Sequence, residues 1–293
     1  MKDYIIRATA ADTTVRAFAA VTSRMAEDAR KIHKLSPIAS AALGRTLTAA
    51  SMMSRQLKGE KDTITIQIKG EGPMGGIVVV TDSEANVRGY VYNPDVYLPL
   101  NDKGKLDISG AIGKNGYLNV IKDMGLKEPY IGYVQLVSGE IAEDLAYYFA
   151  NSEQVPSVVA LGVLIGKDGS VSNSGGYIIQ LMPGAEDGII DFLEKKINSL
   201  PPVTALLSEA KSPEQILDLI LGEKGLKIVE KIPTRFVCNC SRERMERNLI
   251  SLGRQELIEI LDDQGKAEVQ CHFCNTKYHF AKVDLQRLIG QLS

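Results

Sequence analysis

Four cysteines near the end of the chain are the residues best suited to chemistry. They form two close pairs, Cys238-Asn239-Cys240 and Cys271-His272-Phe273-Cys274, and the remainder of the 293 residues contains no other cysteine. Two such pairs can supply four soft ligands from two turns, which is the pattern of a tetrahedral metal site. The sequence therefore predicts a metal centre at Cys238, Cys240, Cys271 and Cys274.

The expected metal is zinc, one ion per chain. Coordination by four thiolates closes the site and leaves no open position for a substrate water, as in structural zinc sites. An iron–sulfur cluster stays open as an alternative, as does a variant in which His272 or His279 replaces one thiolate. A third alternative is a zinc knot whose role is purely structural.

The small size of the cysteine-containing tail determines how much its stability depends on the metal site. The tail from Phe236 onward has about sixty residues, a length at which burial alone gives marginal stability. Structural zinc contributes about 10–16 kcal/mol of apparent binding free energy in small peptides. Native domains are stable by only about 5–15 kcal/mol. Removal of the metal is therefore expected to unfold the tail.

The same thiolates are open to oxidation, first to a sulfenic acid and then to a disulfide. Each cysteine has a neighbour within its own pair that can act as the resolving thiol. A disulfide between Cys238 and Cys240 closes a very short ring, which should make it strained and easily reduced. The pattern is thus typical of a reversible switch between a folded zinc form and an open disulfide form.

Composition narrows the class of protein. The net charge is −2, so charge gives no argument for nucleic-acid binding, and the hydrophobic fraction of 44% supports a sizeable core. The chain has no run of eighteen apolar residues, and its first residues lack the features of a signal peptide. We expect a cytoplasmic protein with no membrane partner, in a compartment where clustered cysteines hold metal more often than structural disulfides.

The first 180 residues predict a large mixed α+β domain. Ser36 followed by Pro37 is typical of a helix start. The segment Gly70-Glu71-Gly72-Pro73 formally matches a dinucleotide-binding fingerprint, but a β-branched run follows it, which favours a turn between strands. The predicted elements are strands within 3–22, helices within 23–57, strands within 63–92, strands and glycine-rich turns within 95–137, a helix at 140–151 and a strand at 175–181.

The predicted secondary structure then changes from mixed helix and strand to helix alone, since residues 186–231 are predicted to be all helical. Ser212 begins a capping box, and an apolar stripe marks the first of these helices. Short helices need a surface to dock on, since isolated ones are marginal below about 12–15 residues. The stripe consists of Ile189, Ile190, Leu193 and Ile197. The predicted organisation is an α+β core domain at 1–180, a helical linker at 181–231 and a small C-terminal zinc-binding domain at 232–293.

The same residues also bear on competing functions. The first 180 residues show no catalytic set, and their only histidine is His33, so no enzyme is predicted. The motif Cys271-x-x-Cys274 is also found in thiol-disulfide oxidoreductases, but no thioredoxin-like context surrounds it. A zinc-ribbon nucleic-acid module is another alternative, although interleaved Glu243 and Glu246 favour a solvated helix face. The arginines it would use are Arg242, Arg244, Arg247 and Arg254.

Several short sequence stretches, spread along the whole chain, together form a combination that is typical of one known family. Besides the C-x-C…C-x-x-C spacing, they are Asp3–Ala8, Gly70–Pro73, Tyr147–Phe149, Ser152–Pro156, Phe236–Arg242, Leu252-Gly253, Glu268–Asn275, Tyr278 and Phe280. In these stretches the chain resembles the heat-shock protein 33 family, which comprises redox-regulated bacterial holdase chaperones.

The resemblance implies an ATP-independent chaperone that is inactive while the four cysteines bind zinc. Peroxide or hypochlorous acid, usually with heat, would form the disulfides Cys238–Cys240 and Cys271–Cys274 and expel the zinc. The zinc domain and the linker would then unfold, and the exposed surface would capture unfolding or oxidatively damaged client proteins. Activation would be accompanied by formation of a homodimer, and no nucleic-acid partner is implied.

Overall fold

The computed structural model describes residues 2–186, 188–209 and 211–292. The chain divides into two compact units, Met1–Val237 and Cys238–Ser293. Each unit combines helices with strands, which confirms the predicted α+β class. Among the described helices, none combines the length and the apolar character that spanning a bilayer requires.

Two sheets form the frame of the first unit. In the described part of the chain, one sheet has the strand order β10-β1-β2-β9-β8 and the other has the order β11-β5-β4-β3-β6-β7. The strands are β1 (Tyr4–Ala10), β2 (Val15–Val21), β3 (Thr63–Gly70), β4 (Ile77–Asp82), β5 (Asn86–Val91), β6 (Gly116–Asp123), β7 (Tyr130–Gln135), β8 (Ser157–Ile165), β9 (Val171–Leu181), β10 (Lys227–Pro233) and β11 (Arg235–Phe236). The helices before residue 180 are α1 (Ser23–His33), α2 (Pro37–Met53), α3 (Ile108–Ile112) and α4 (Ala142–Asn151).

Helix α2 is the centre of the first unit. Ser36 caps it by accepting a hydrogen bond from the backbone N–H of Ala39, and Pro37 occupies its first turn, as predicted. Strands of both sheets pack against it, so it is buried around nearly its whole circumference rather than along one stripe. At Gly44 an added Cβ would lie 2.9 Å from Val163, which shows how closely β8 approaches the helix.

The glycine-rich segment after β3 is a turn between strands, as predicted. Strand β3 ends at Gly70 and β4 begins at Ile77, and no helix follows the glycines to receive a phosphate. The backbone here lies close to α3, since a Cβ at Gly72 would lie 2.5 Å from the carbonyl oxygen of Ala111. A strand thus follows the glycines where the dinucleotide fingerprint requires a helix.

The predicted helical segment contains α5 (Gly188–Ser199), α6 (Val203–Ser208) and α7 (Pro213–Leu221). The capping box of α7 is present, because Ser212 Oγ accepts from the Gln215 N–H and Gln215 Oε1 accepts from the Ser212 N–H. These helices cover one face of the five-stranded sheet. The buried helix residues are Ile189, Leu193, Val203, Leu206, Leu207, Ile216, Leu217, Ile220 and Leu221, and the sheet contributes Ile6, Ala8, Ala10, Val15, Ala17, Ala19, Tyr177 and Ile179.

Two details of the helical prediction are wrong. Ile190 was placed on the apolar stripe but is 47% exposed. Residues 227–231 were predicted to be helical but form the greater part of β10, which pairs antiparallel with β1. The reason is the tertiary pairing with β1, which stabilises this segment as an edge strand, and the β-branched residues Ile228, Val229 and Ile232 are suited to a strand.

The second unit is small. Its elements are α8 (Arg242–Ile250), α9 (Arg254–Gln264), β12 (Ala267–Gln270), β13 (Lys277–Phe280) and α10 (Lys282–Gly290). The buried apolar cluster among its described residues consists of Met245, Leu249, Leu257, Phe280, Leu285 and Leu288. Phe236 packs against the core of the first unit instead. So small a cluster is consistent with marginal stability from burial alone.

Candidate metal centre

The two cysteine pairs lie at the ends of secondary-structure elements in the second unit. Cys238 and Cys240 immediately precede α8, which begins after the capping residue Ser241. Cys271 and Cys274 lie in the turn that joins β12 to β13. In that turn the N–H of Asn275 donates to the carbonyl oxygen of Cys271, and the N–H of Cys271 donates to that of Thr276. The second pair is therefore carried by a tight backbone turn, and the first pair by the segment that leads directly into α8.

The structure brings all four thiols together. Their Sγ atoms all lie within 4.8 Å of one another. Cys238 Sγ is 3.7 Å from Cys271 Sγ, and Cys240 Sγ is 3.3 Å from Cys274 Sγ. A tetrahedron with metal–sulfur bonds of 2.3 Å has edges of about 3.8 Å. All four cysteines are free thiols, and their spacing fits a tetrahedral thiolate site.

The donor set consists of sulfur. Among the described residues, the group able to hold a metal contains the four cysteines and does not include His272 or His279. The His279 side chain is 73% exposed, and its Nδ1 lies 3.4 Å from a carboxylate oxygen of Glu268. Soft thiolate ligands in tetrahedral arrangement favour Zn²⁺ or iron–sulfur chemistry over Mg²⁺ or Ca²⁺.

Two polar contacts to the sulfurs were not found from the sequence. The phenol of Tyr278 donates a hydrogen bond to Cys240 Sγ at 3.1 Å. The Thr276 hydroxyl oxygen lies 3.2 Å from Cys274 Sγ. The only sequence signal for the second contact is that Thr276 follows Cys274 by two residues. Such outer contacts orient metal ligands and tune their basicity.

The thiols differ in how readily they lose a proton when no metal is bound. Burial is the largest cause that raises the pKa of Cys238, and it also raises the pKa of Cys271. Burial acts in the same direction on Cys274, but hydrogen bonds with Thr276, Cys240 and Cys238 together outweigh it and lower the Cys274 pKa to about 7. The hydrogen bond to Cys240 raises the pKa of Tyr278 to about 12.

Two of the arginines considered for nucleic-acid binding are engaged within the second unit. Arg242 forms an ion pair with Asp284 at 3.0 Å, and its guanidinium lies over the ring of Phe280. Arg244 donates to the side-chain oxygen of Asn239 at 2.7 Å, between the two cysteines of the first pair. These contacts favour a structural role for Arg242 and Arg244 over a basic surface that contacts phosphates.

Comparison with known proteins shows which family the chain belongs to. A sequence model of the Hsp33 protein matches residues 3–281. The chain belongs to the Hsp33 family. It is 63% identical over 291 residues to the 33 kDa chaperonin of Ruminiclostridium cellulolyticum, covering 99% of each chain. It is 60% identical over 289 residues to the 33 kDa chaperonin of Acetivibrio thermocellus, covering 99% of this chain and 97% of that relative.

A solved structure agrees with this assignment. The crystal structure of the 33 kDa chaperonin (heat shock protein 33 homolog) of Thermotoga maritima matches with a TM-score of 0.91 and 41% identity, covering 99% of both chains. The resemblance to the heat-shock protein 33 family is thereby confirmed over nearly the whole chain.

Replacing Tyr278 with phenylalanine is expected to weaken metal retention without changing the fold. The substitution removes the hydrogen bond to Cys240 Sγ and keeps the ring that packs against the small core. Loss of an outer contact to a metal ligand typically lowers affinity about 10–100-fold. Competition with a zinc chelator would measure the change, and equal release from Tyr278→Phe and the parent protein would show that the contact does not support the site.

Proposed function

We propose that this protein is an ATP-independent holdase chaperone whose activity is controlled by the redox state of the four cysteines. In the reduced form, Cys238, Cys240, Cys271 and Cys274 would bind one zinc ion and the protein would be inactive. Oxidation would form disulfides, release the zinc and activate binding of client proteins. The observation that carries the proposal is the convergence of four free thiols within 4.8 Å in a chain of the Hsp33 family.

The chaperone activity is supported by the relatives, which are named 33 kDa chaperonin and match nearly the full length of this chain. The clients would be unfolded or oxidatively damaged proteins, and the compartment would be the cytoplasm. We infer that activation produces a homodimer, and that nucleic acids and membranes are not partners.

Zinc fits the arrangement of the four sulfur atoms and would stabilise the fold of the second unit. Zinc held by four thiolates supplies about 10–16 kcal/mol of apparent binding free energy in small peptides, and no position remains for a substrate. Burial gives a unit of this size only marginal net stability, so a metal contribution of that size would be decisive. The cysteines would therefore determine whether residues 238–292 stay folded.

The redox step would join the cysteines within each pair, giving Cys238–Cys240 and Cys271–Cys274. A thiolate attacks hydrogen peroxide and becomes a sulfenic acid, with release of one water. The neighbouring thiol then displaces a second water and forms the disulfide. One peroxide is thus reduced to two waters for each disulfide formed, and a dithiol such as dithiothreitol reverses the step by exchange.

The client surface would be the face of the five-stranded sheet that α5, α6 and α7 cover. These helices are short, and their burial on the sheet supplies most of their stability. If they leave the sheet, the apolar residues of both partners become accessible. We propose on this basis a division into a core domain at 1–180, a linker at 181–231 and a zinc-binding redox switch at 232–293.

An aggregation assay tests the proposed activity. Protein oxidised with peroxide at mildly elevated temperature is expected to suppress light scattering by an unfolding client, whereas reduced, zinc-loaded protein does not. Addition of dithiothreitol should remove the activity. Oxidised, zinc-free protein that fails to suppress aggregation would contradict the proposal, and catalytic turnover of a dithiol substrate would favour an oxidoreductase instead.

A further inference from the structure

Strand β10 is held on its sheet by little apolar burial. Among the described residues it is the edge strand of the five-stranded sheet. Along the sequence, β11 follows β10, and the cysteine-containing unit comes next. Two apolar residues of β10, Ile228 and Val229, are 48% and 53% exposed. Its attachment to β1 must therefore depend to a large extent on backbone hydrogen bonds and on polar side chains.

Glu230 is the residue of β10 that makes the most extensive polar contacts. It lies directly opposite Arg7 in the pairing of β10 with β1. Its Oε1 accepts a hydrogen bond from Arg55 Nη2 at 2.8 Å, and its Oε2 lies 3.4 Å from Arg7 Nε. Arg55 follows α2 and also donates to the carbonyl oxygen of Ser83 at 2.7 Å. The Glu230 carboxylate thus connects β10 to β1 and to the end of α2, and Arg55 in turn contacts the turn after β4.

Arg55 and Glu230 are partly buried, so their ion pair should contribute more to stability than a fully solvated ion pair does. The Arg55 side chain is 15% exposed and the Glu230 side chain is 29% exposed. Fully exposed pairs contribute little, because water competes for both charges. Without the Glu230 carboxylate, Arg7 and Arg55 would lie close together without the negative charge that now separates them, and like charges in a partly buried site repel.

We propose that Glu230, bound by Arg7 and Arg55, is an electrostatic latch that keeps β10 on β1 and thereby limits release of the helical segment. The inference rests on the redox function proposed above, because that function requires the helical segment to leave the sheet. β10 joins α7 to β11, and the cysteines follow directly. Release that starts at the cysteines must open β10 before it reaches α7, so the latch sets how readily release spreads.

The substitution Glu230→Gln tests the latch, because it removes the charge and keeps the side-chain shape. In the reduced, zinc-loaded protein, backbone amides of residues 227–231 are expected to exchange with deuterium about tenfold faster than in the parent protein. Zinc content should be unchanged. During treatment with peroxide, the amides of α5, α6 and α7 should lose protection earlier than in the parent protein.

The matched control is Glu223→Gln, which removes a carboxylate from the same segment. Glu223 is paired with Lys196, but its side chain is 67% exposed, so this variant should behave as the parent protein does. A second check combines Glu230→Gln with Arg55→Gln. If the two residues form one latch, the double variant should exchange no faster than the faster single variant.

Two results would overturn the latch. One is exchange at residues 227–231 in Glu230→Gln that is no faster than in Glu223→Gln. The other is faster exchange in β10 with unchanged timing of release in α5, α6 and α7. These measurements do not depend on chaperone activity. A parent protein that exchanges as described but never suppresses aggregation would contradict the proposed function and not the latch.

Discussion

Replacement of Cys271 by serine is expected to abolish stoichiometric zinc binding and to unfold the second unit. Cys271 is the most buried of the four cysteines, and a serine hydroxyl is a poor ligand for zinc. The loss of affinity should exceed the roughly 10–100-fold that removal of an outer contact causes. Hydrogen exchange should show loss of protection across residues 238–292, whereas the core strands and α2 in the first unit remain protected.

His279→Ala is the matched control for that experiment. His279 belongs to the hairpin that carries Cys271 and Cys274 and is also a residue type that binds zinc, but it is exposed and lies outside the cysteine group. Its replacement should leave the zinc content at one ion per chain. Unchanged zinc stoichiometry and affinity in Cys271→Ser would remove Cys271 from the ligand set, and zinc loss in His279→Ala would favour a site with three cysteines and one histidine.

Truncation of Leu217 to alanine is expected to activate the reduced protein in part. Leu217 is fully buried between α7 and the five-stranded sheet. Leucine-to-alanine changes at such sites cost about 2–5 kcal/mol. That loss should allow α5, α6 and α7 to leave the sheet without oxidation. Hydrogen exchange of these helices and suppression of client aggregation by reduced, zinc-loaded protein would both increase.

Leu219→Ala supplies the control within the same helix. Leu219 is chemically identical to Leu217 and lies in α7, but it is 39% exposed. Its truncation should change stability by a few tenths of a kcal/mol up to about 1 kcal/mol, and should leave the reduced protein inactive. If Leu217→Ala loosens the helices and creates no aggregation suppression, the covered sheet face is not the client surface.

The elements with strong local signals could be predicted from the sequence. Ser36 and Pro37 mark the start of α2, and Ser212 with Gln215 marks the start of α7, because capping groups act on their own helix. Strand β10 could not be placed in this way. Its residues 227–231 follow three helices and show no regular alternation of polar and apolar side chains. Only pairing with β1, more than two hundred residues earlier, stabilises them as a strand.

The cysteine set was predictable for a different reason. Metal ligation requires particular side chains at particular spacings, and both can be read directly from Cys238 to Cys274. The outer contacts were less accessible. Tyr278 reaches Cys240 because the hairpin places it near the other cysteine pair, a tertiary relation that spacing does not encode. The same holds for Glu230, whose partners Arg7 and Arg55 lie far away in the sequence.

If the four cysteines form one redox switch, bound zinc and free thiols must change together, and a paired count of both measures this. Reduced protein should contain one zinc and four reactive thiols per chain under denaturing conditions. After peroxide treatment with mild heat, zinc and thiols should both fall toward zero together, and dithiothreitol with added zinc should restore both. Retention of zinc while the thiols are oxidised, or loss of zinc with four thiols intact, would show that the cysteines do not act as one redox switch.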